Sequence, residues 1–153
     1  MKAAVLREVD HPLEVEEVHI DKPGPREVLV RTGATGVCHS DLHFIEGKYR
    51  ITMPAILGHE AAGTVEAVGE QVSYVRPGDL VIMCLSVFCG HCERCLSGRP
   101  VLCSRTDVVR TPEEPPRLRQ GDTPLTQMAL LGSFAEQMLV HQHSLVRVQD
   151  DIP

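Results

Sequence analysis

Residues 89–103 read CGHCERCLSGRPVLC, which places Cys89, Cys92, Cys95 and Cys103 in a C-x2-C-x2-C-x7-C run. Four thiols this close together bind a metal, pair as disulfides or carry redox chemistry. Zinc takes four tetrahedral ligands, and four thiolates saturate it. The x2 gaps let a tight turn bring neighbouring sulfurs to one side, and a fourth ligand eight residues on closes the loop. A site of this kind has no open position for a substrate. It pins a lobe of chain, and its binding free energy contributes to folding. An iron–sulfur cluster also takes four thiolates, but the run lacks the C-x3-C-P end of a ferredoxin run. Disulfides belong to oxidising compartments. The N-terminal MKAAVLREVDHP has no long apolar run before its charges begin, which is not a secretory signal. No stretch approaches the roughly 20 apolar residues of a membrane helix. The default location is therefore cytoplasmic and reducing, and zinc is the favoured reading. His91 is read as solvated. Cys84, outside the spacing, is read as a buried, inert thiol.

The rest of the 153-residue chain suits one domain. At 42% hydrophobic and 24% charged it supports a packed core, and with no Trp, two Tyr and three Phe that core must be aliphatic. A net charge of -6 argues against nucleic acid as a partner. Short apolar runs predict strands at Ala3–Leu6, Leu13–Val18, Val28–Gly33, Gly63–Val68, Leu80–Met83, Ala135–Val140 and Leu145–Val148. The turn sequences DKPGP and RPGD precede two of them. One helical turn is expected at His39–Phe44 and another in the cysteine segment. The fold class is mainly β, a barrel or a sandwich. Residues 104–126 are polar and rich in proline and read as a long surface loop. No G-x-G-x-x-G follows a strand, so no dinucleotide-binding βαβ unit is recognisable.

A second constellation lies upstream, in GVCHSDLH at 36–43 and GHEAAGTVEAVGEQV at 58–72. Cys38 and His59 are ligands that can share one zinc, with Glu60 as a further ligand. Ser40 and His43 are groups able to move protons, and Asp41 is placed to orient a ligand imidazole. Taken singly, each has a plainer reading as a core thiol, a locally bonded histidine or a helix cap.

Together these motifs resemble the zinc-containing alcohol dehydrogenases of the medium-chain dehydrogenase/reductase family. The run Gly58-His59-Glu60-x2-Gly63-x5-Gly69-x2-Val72 is similar to that family's zinc signature, GVCHSD to its first catalytic-zinc segment, and the four-cysteine run to its structural-zinc lobe. The resemblance covers essentially the whole chain. The loop and the following LLGSFAEQMLV are most similar to the class I, class III and formaldehyde-dehydrogenase-like branches.

The resemblance implies a GroES-like, partly open β-barrel with a few short helices and a zinc-pinned lobe over about 84–104. Cys38 and His59 would ligate a catalytic zinc, with Glu60 able to reach it, and Cys89, Cys92, Cys95 and Cys103 would hold a structural one. Asp41 would fix the His59 tautomer. Ser40 would take the substrate's proton and His43 would pass it on. His39 would approach the cofactor pyrophosphate, and Tyr49 and Leu85 would line the substrate pocket. The implied reaction is hydride transfer from a zinc-held alkoxide to NAD or NADP, with a small alcohol or aldehyde, or a formaldehyde adduct, as substrate. A homo-oligomer is implied, without membrane or nucleic-acid partners. The family's third catalytic-zinc cysteine and its Rossmann domain find no counterpart in these residues, and Asp150-Asp151-Ile152-Pro153 resembles a lead-in to later segments. The chain is therefore expected to be an N-terminal fragment, inactive alone. The alternatives are a non-enzymatic GroES-like zinc-binding interaction module and a redox-active thiol protein. The latter lacks its βαβ context.

Overall fold

A computed structural model describes residues 1–104 and 107–148. The Asp150–Pro153 run lies outside the described residues. Among the described residues the fold is mainly β, with three sheets, two short α-helices and three 3-10 turns. Five strands form the largest sheet in the order β11 (Gln137–His141), β4 (Glu27–Thr35), β6 (Ala61–Val68), β7 (Leu80–Met83) and β12 (Leu145–Arg147). Every neighbouring pair in it is antiparallel. Alternation along β4 sends Val28 and Val30 inward, onto Val65, Val81, Met138, Val140 and Leu145. Each fully buried side chain of this size contributes about 1.5–3 kcal/mol. Irregular pairing between β4 and β6 at Leu29/Val30 and Thr32/Ala34 bends the sheet into a curled half-barrel.

A second sheet runs β10 (Thr126–Gln127), β5 (Ala55–Ile56), β1 (Lys2–Leu6) and β2 (Glu14–Glu17). It joins the first through the Ala4 N–H, which donates to the Phe134 carbonyl at 2.8 Å. A third sheet, β3 (His19–Ile20), β8 (Leu118–Gln120) and β9 (Thr123–Pro124), closes over the apolar face of β1. Helix α1 spans His39–Ile45 and α2 spans Glu93–Leu96.

The seven strands expected from the sequence form within a residue or two at their ends. The five short strands β3, β5, β8, β9 and β10 were not anticipated, because two or three residues give too little alternation to read. The segment 104–126 is not wholly a surface loop. Leu118 and Leu125 are buried against Ala3 and Val5, and that burial pulls a hairpin out of a polar sequence. Pro124 is tolerated because β9 is an edge strand. Cys84 is exposed, not buried, because it follows β7 on the outer side of the sheet.

The segment is also held electrostatically. The buried Glu27 carboxylate accepts from Arg117 Nε at 2.6 Å and from Arg110 Nε at 3.1 Å. Arg110 also pairs with Asp21. Burial alone would raise the Glu27 pKa, but the Arg110 hydrogen bonds and the Arg117 charge outweigh it and hold the carboxyl below its ordinary value. Removing one partner strands the other charge in the interior. Glu27→Ala leaves the buried Arg117 guanidinium facing no carboxylate and is expected to lower stability by about 3–5 kcal/mol, read from urea unfolding midpoints.

His141 makes the fold acid-sensitive. Its Nδ1 accepts from the His143 N–H at 3.2 Å, and its buried Nε2 has no partner among the described residues. Burial pushes its pKa down from 6.5 to about 4, and the nearby His143 adds to the effect. The unfolded chain therefore binds the proton more readily, so the full contribution is present above about 6.5 and is lost as pH falls toward 4. The depressed Glu27 acts in the same direction at lower pH. In a pH series of unfolding midpoints, His141→Gln should flatten the slope between pH 6.5 and 4 relative to the unmodified chain. Equal slopes would contradict this account.

Candidate functional site

The end of β4 delivers the chain to Cys38, which caps α1. The Ser40 N–H approaches Cys38 Sγ at 3.5 Å, and the Cys38 N–H donates to Asp41 Oδ2 at 3.0 Å. Asp41 is 1% exposed, and its second oxygen accepts from the Gly58 N–H at 3.0 Å. One buried carboxylate thus ties the helix start to the loop after β5. Gly58 has φ +91, and a Cβ there would run into Ser133 Oγ and lie 2.6 Å from Phe134 Cδ1. Only glycine meets both demands.

This tie brings His59 to Cys38. The Cys38 Sγ, a His59 ring nitrogen and a Glu60 carboxylate oxygen all lie within 4.8 Å of one another. His59 is 8% exposed. Its Nδ1 sits 3.4 Å from Asp41 Oδ1, outside hydrogen-bond geometry, and is a buried polar atom without a hydrogen-bond partner. A ligand imidazole ordinarily donates its second N–H to a carboxylate, and Asp41 is the carboxylate beside this nitrogen. Nε2 faces Glu60 Oε1 at 4.0 Å. Thiolate, imidazole and carboxylate form a donor set suited to zinc, so the residues fit such an ion.

Ser40 lies beside the set, with its Oγ 3.5 Å from Cys38 Sγ. His43 does not hydrogen-bond to Ser40 among the described contacts. It packs between the rings of His39, at 4.7 Å, and Tyr49, at 4.9 Å. Tyr49 and Leu85 are both about half exposed.

The four-cysteine lobe is compact. Cys92 Sγ is 3.5 Å from Cys95 Sγ and 3.9 Å from Cys103 Sγ, and Cys89 Sγ is 3.9 Å from Cys95 Sγ. Sulfurs held at about 2.3 Å from one tetrahedral ion stand about 3.8 Å apart. Disulfide sulfurs stand at about 2.05 Å, so none of these is bonded. The Cys89 N–H donates to Cys103 Sγ at 3.2 Å and the Cys92 N–H to Cys89 Sγ at 3.3 Å. Backbone amides, that of Ser104 first, pull the Cys92 thiol down to about 5, and burial pushes Cys95 up to about 12. Backbone dipoles thus favour the Cys92 thiolate, whereas the surroundings of Cys95 oppose its own. A cation at the centre reverses that preference for Cys95. His91 is exposed and its Nε2 lies 3.0 Å from Asp107 Oδ2, which also accepts from Arg26 Nη1 at 2.7 Å. This bridge ties the lobe to the barrel. Cys89, His91 and Asp107 also converge within 4.8 Å, a grouping the sequence did not suggest because Asp107 lies beyond the cysteine run.

Sequence reasoning also missed Thr35 and Ser133. The two hydroxyls are 2.7 Å apart, and Thr35 Oγ1 donates to the Glu60 carbonyl at 3.0 Å. Their separation of 98 residues leaves no local signal.

Comparison with known proteins gives the same picture. Residues 24–150 match the alcohol dehydrogenase GroES-like domain. The chain is 40% identical over 99% of its length to an NDMA-dependent alcohol dehydrogenase of Amycolatopsis methanolica, and it spans 42% of that relative. An alcohol dehydrogenase zinc-binding domain protein from Burkholderia ambifaria superposes on 99% of the chain with a TM-score of 0.87 at 35% identity, the match spanning 42% of that structure. Benzyl alcohol dehydrogenase from Acinetobacter calcoaceticus gives 0.85 at 33% over the same shares. A half-barrel with these two groups of potential metal ligands, matched over 127 of its residues by the family pattern at 24–150, belongs to the alcohol dehydrogenase GroES-like domain family, of the medium-chain dehydrogenase/reductase type.

Proposed function

We propose that this chain is the metal-binding catalytic part of a zinc-dependent, NAD- or NADP-linked dehydrogenase of small alcohols and aldehydes. The observation that carries the reading is the convergence of Cys38, His59 and Glu60 within 4.8 Å, with the buried Asp41 behind the imidazole. Cys38 and His59 hold a zinc ion, and Glu60 is a further ligand. A bound zinc supplies a Lewis acid that lowers the pKa of a hydroxyl placed against it. Asp41 orients His59 and keeps Nε2 directed at the site. Ser40, beside the Cys38 sulfur, accepts the substrate's proton. His43, which makes no direct hydrogen bond to Ser40 among the described residues, would receive it through the bound cofactor's ribose and pass it outward from its place between His39 and Tyr49. His39 approaches the cofactor, and Tyr49 and Leu85 contribute to the substrate pocket. Cys89, Cys92, Cys95 and Cys103 hold a structural zinc that fixes the lobe.

The chain spans about two fifths of the relatives it matches. No dinucleotide-binding motif is present in its sequence. We place hydride acceptance on a cofactor domain of the kind these relatives have room for, with a cytoplasmic homo-oligomer as the form of the whole enzyme. No helix among the described residues is long and apolar enough to cross a membrane.

Elemental analysis of the 153-residue chain is expected to find about one tightly held zinc, with four thiols protected from a thiol reagent. Cys103→Ser should release that zinc and expose the lobe's thiols. Retention of the zinc by Cys103→Ser would contradict the four-thiol site. In an enzyme carrying both this chain and its cofactor domain, Asp41→Asn should lower metal affinity or turnover about 10- to 100-fold. His59→Ala should abolish alcohol-dependent reduction of the nicotinamide, and the 153-residue chain alone should show none. Turnover surviving His59→Ala would overturn the reading.

A further inference from the structure

The Glu60 carboxylate reaches the Cys38–His59 pair because of how its backbone and side chain are held. Its carbonyl accepts from two consecutive residues at the end of β4, the Gly36 N–H at 2.7 Å and Thr35 Oγ1 at 3.0 Å. Thr35 Oγ1 is itself bonded to the fully buried Ser133 hydroxyl. The Ser133 N–H donates to the Gly58 carbonyl at 3.1 Å, so Ser133 holds both ends of the Gly58–Glu60 turn. From this clamped backbone the Glu60 side chain folds back over Gly36. A Cβ at Gly36 would overlap Glu60 Oε2, and would lie 3.1 Å from Glu60 Cβ and 3.4 Å from Glu60 Cδ.

Gly36 is not among the residues with positive φ. Its φ therefore gives no reason for glycine there. What the missing side chain provides is room for the carboxylate. We infer that Gly36 is a positioning residue for the metal site: its bare Cα, with the Thr35–Ser133 clamp, keeps the Glu60 carboxylate within ligand distance of Cys38 and His59. This rests on the reading of that set as a metal site.

The consequence is electrostatic. One thiolate and one carboxylate neutralise a divalent ion, whereas the thiolate alone leaves a net positive centre. Within these 153 residues Gly36 thereby sets the charge of the Cys38–His59–Glu60 group without touching the metal. The overlapping atom is the far end of a flexible side chain that is 53% exposed. Gly36→Ala should therefore turn the carboxylate out to solvent and leave the fold in place.

The test is cobalt(II) titration of the 153-residue chain with its four-thiol site already filled with zinc. Binding at Cys38 is followed by the sulfur-to-cobalt and visible d–d absorption bands. Gly36→Ala should weaken cobalt binding about tenfold or more, as loss of a supporting group does. It should shift the d–d bands as Glu60→Ala does, and the double variant should bind no more weakly than Glu60→Ala alone. The melting temperature and zinc content should stay unchanged. Affinity and bands equal to those of the unmodified chain would overturn the inference. So would losses that add in the double variant, which would make the glycine a backbone requirement independent of Glu60. If the unmodified chain takes up no cobalt that His59→Ala abolishes, the metal site itself fails, a result distinct from a site that binds and ignores Gly36.

Discussion

Strand β4 is the element on which the rest depends. It is paired along its length to β6 on one side and β11 on the other, and its two ends do different work. At its start Glu27 anchors Arg110 and Arg117, and through them the long segment that covers the second sheet. At its end Thr35 and Gly36 hand the chain to Cys38 and hold the Glu60 carbonyl. The irregular pairing near Thr32 and Ala34 turns that end away from the flat sheet, so the loop carrying Cys38 leaves toward the Gly58–Glu60 turn. A register slip in β4 would displace both ends together.

Buried charge is used here for placement more than for stability. Asp41 is enclosed, yet both its oxygens are met by backbone N–H groups, one from Cys38 and one from Gly58. Such an arrangement costs desolvation, and well-packed apolar groups can match its net energy. What it supplies is a fixed distance between two segments that are otherwise independent. Glu27 performs the same task between β4 and the covering segment.

The two groups of potential metal ligands differ in what each could hold. The four thiols are enough to fill a tetrahedral ion's coordination and lie in a lobe tied to the barrel through Asp107 and the Phe88–His143 stack. The Cys38 set offers three donors of mixed softness at the mouth of a helix, with a proton-carrying hydroxyl beside them. A closed site suits structure, and an open one suits a substrate.

Much of this was legible in the chain itself. The C-x2-C-x2-C-x7-C spacing determined a compact thiol lobe because short gaps leave the sulfurs few ways to separate. The aliphatic alternation in the seven longer strands determined a mainly β fold, and the paired motifs around Cys38 and His59 determined which residues could meet. Five short strands escaped because two or three residues carry no period. Leu118 and Leu125 looked like loop residues until the β1 face gave them something to bury against. Cys84 looked like a core thiol, and only the side of the sheet on which β7 ends decided its exposure. The partnership of Thr35 with Ser133, the bridge from Arg26 through Asp107 to His91, and the room that Gly36 leaves for Glu60 are decided by tertiary structure alone. Each joins residues whose separation along the chain is long or whose contact runs through space that no local pattern describes.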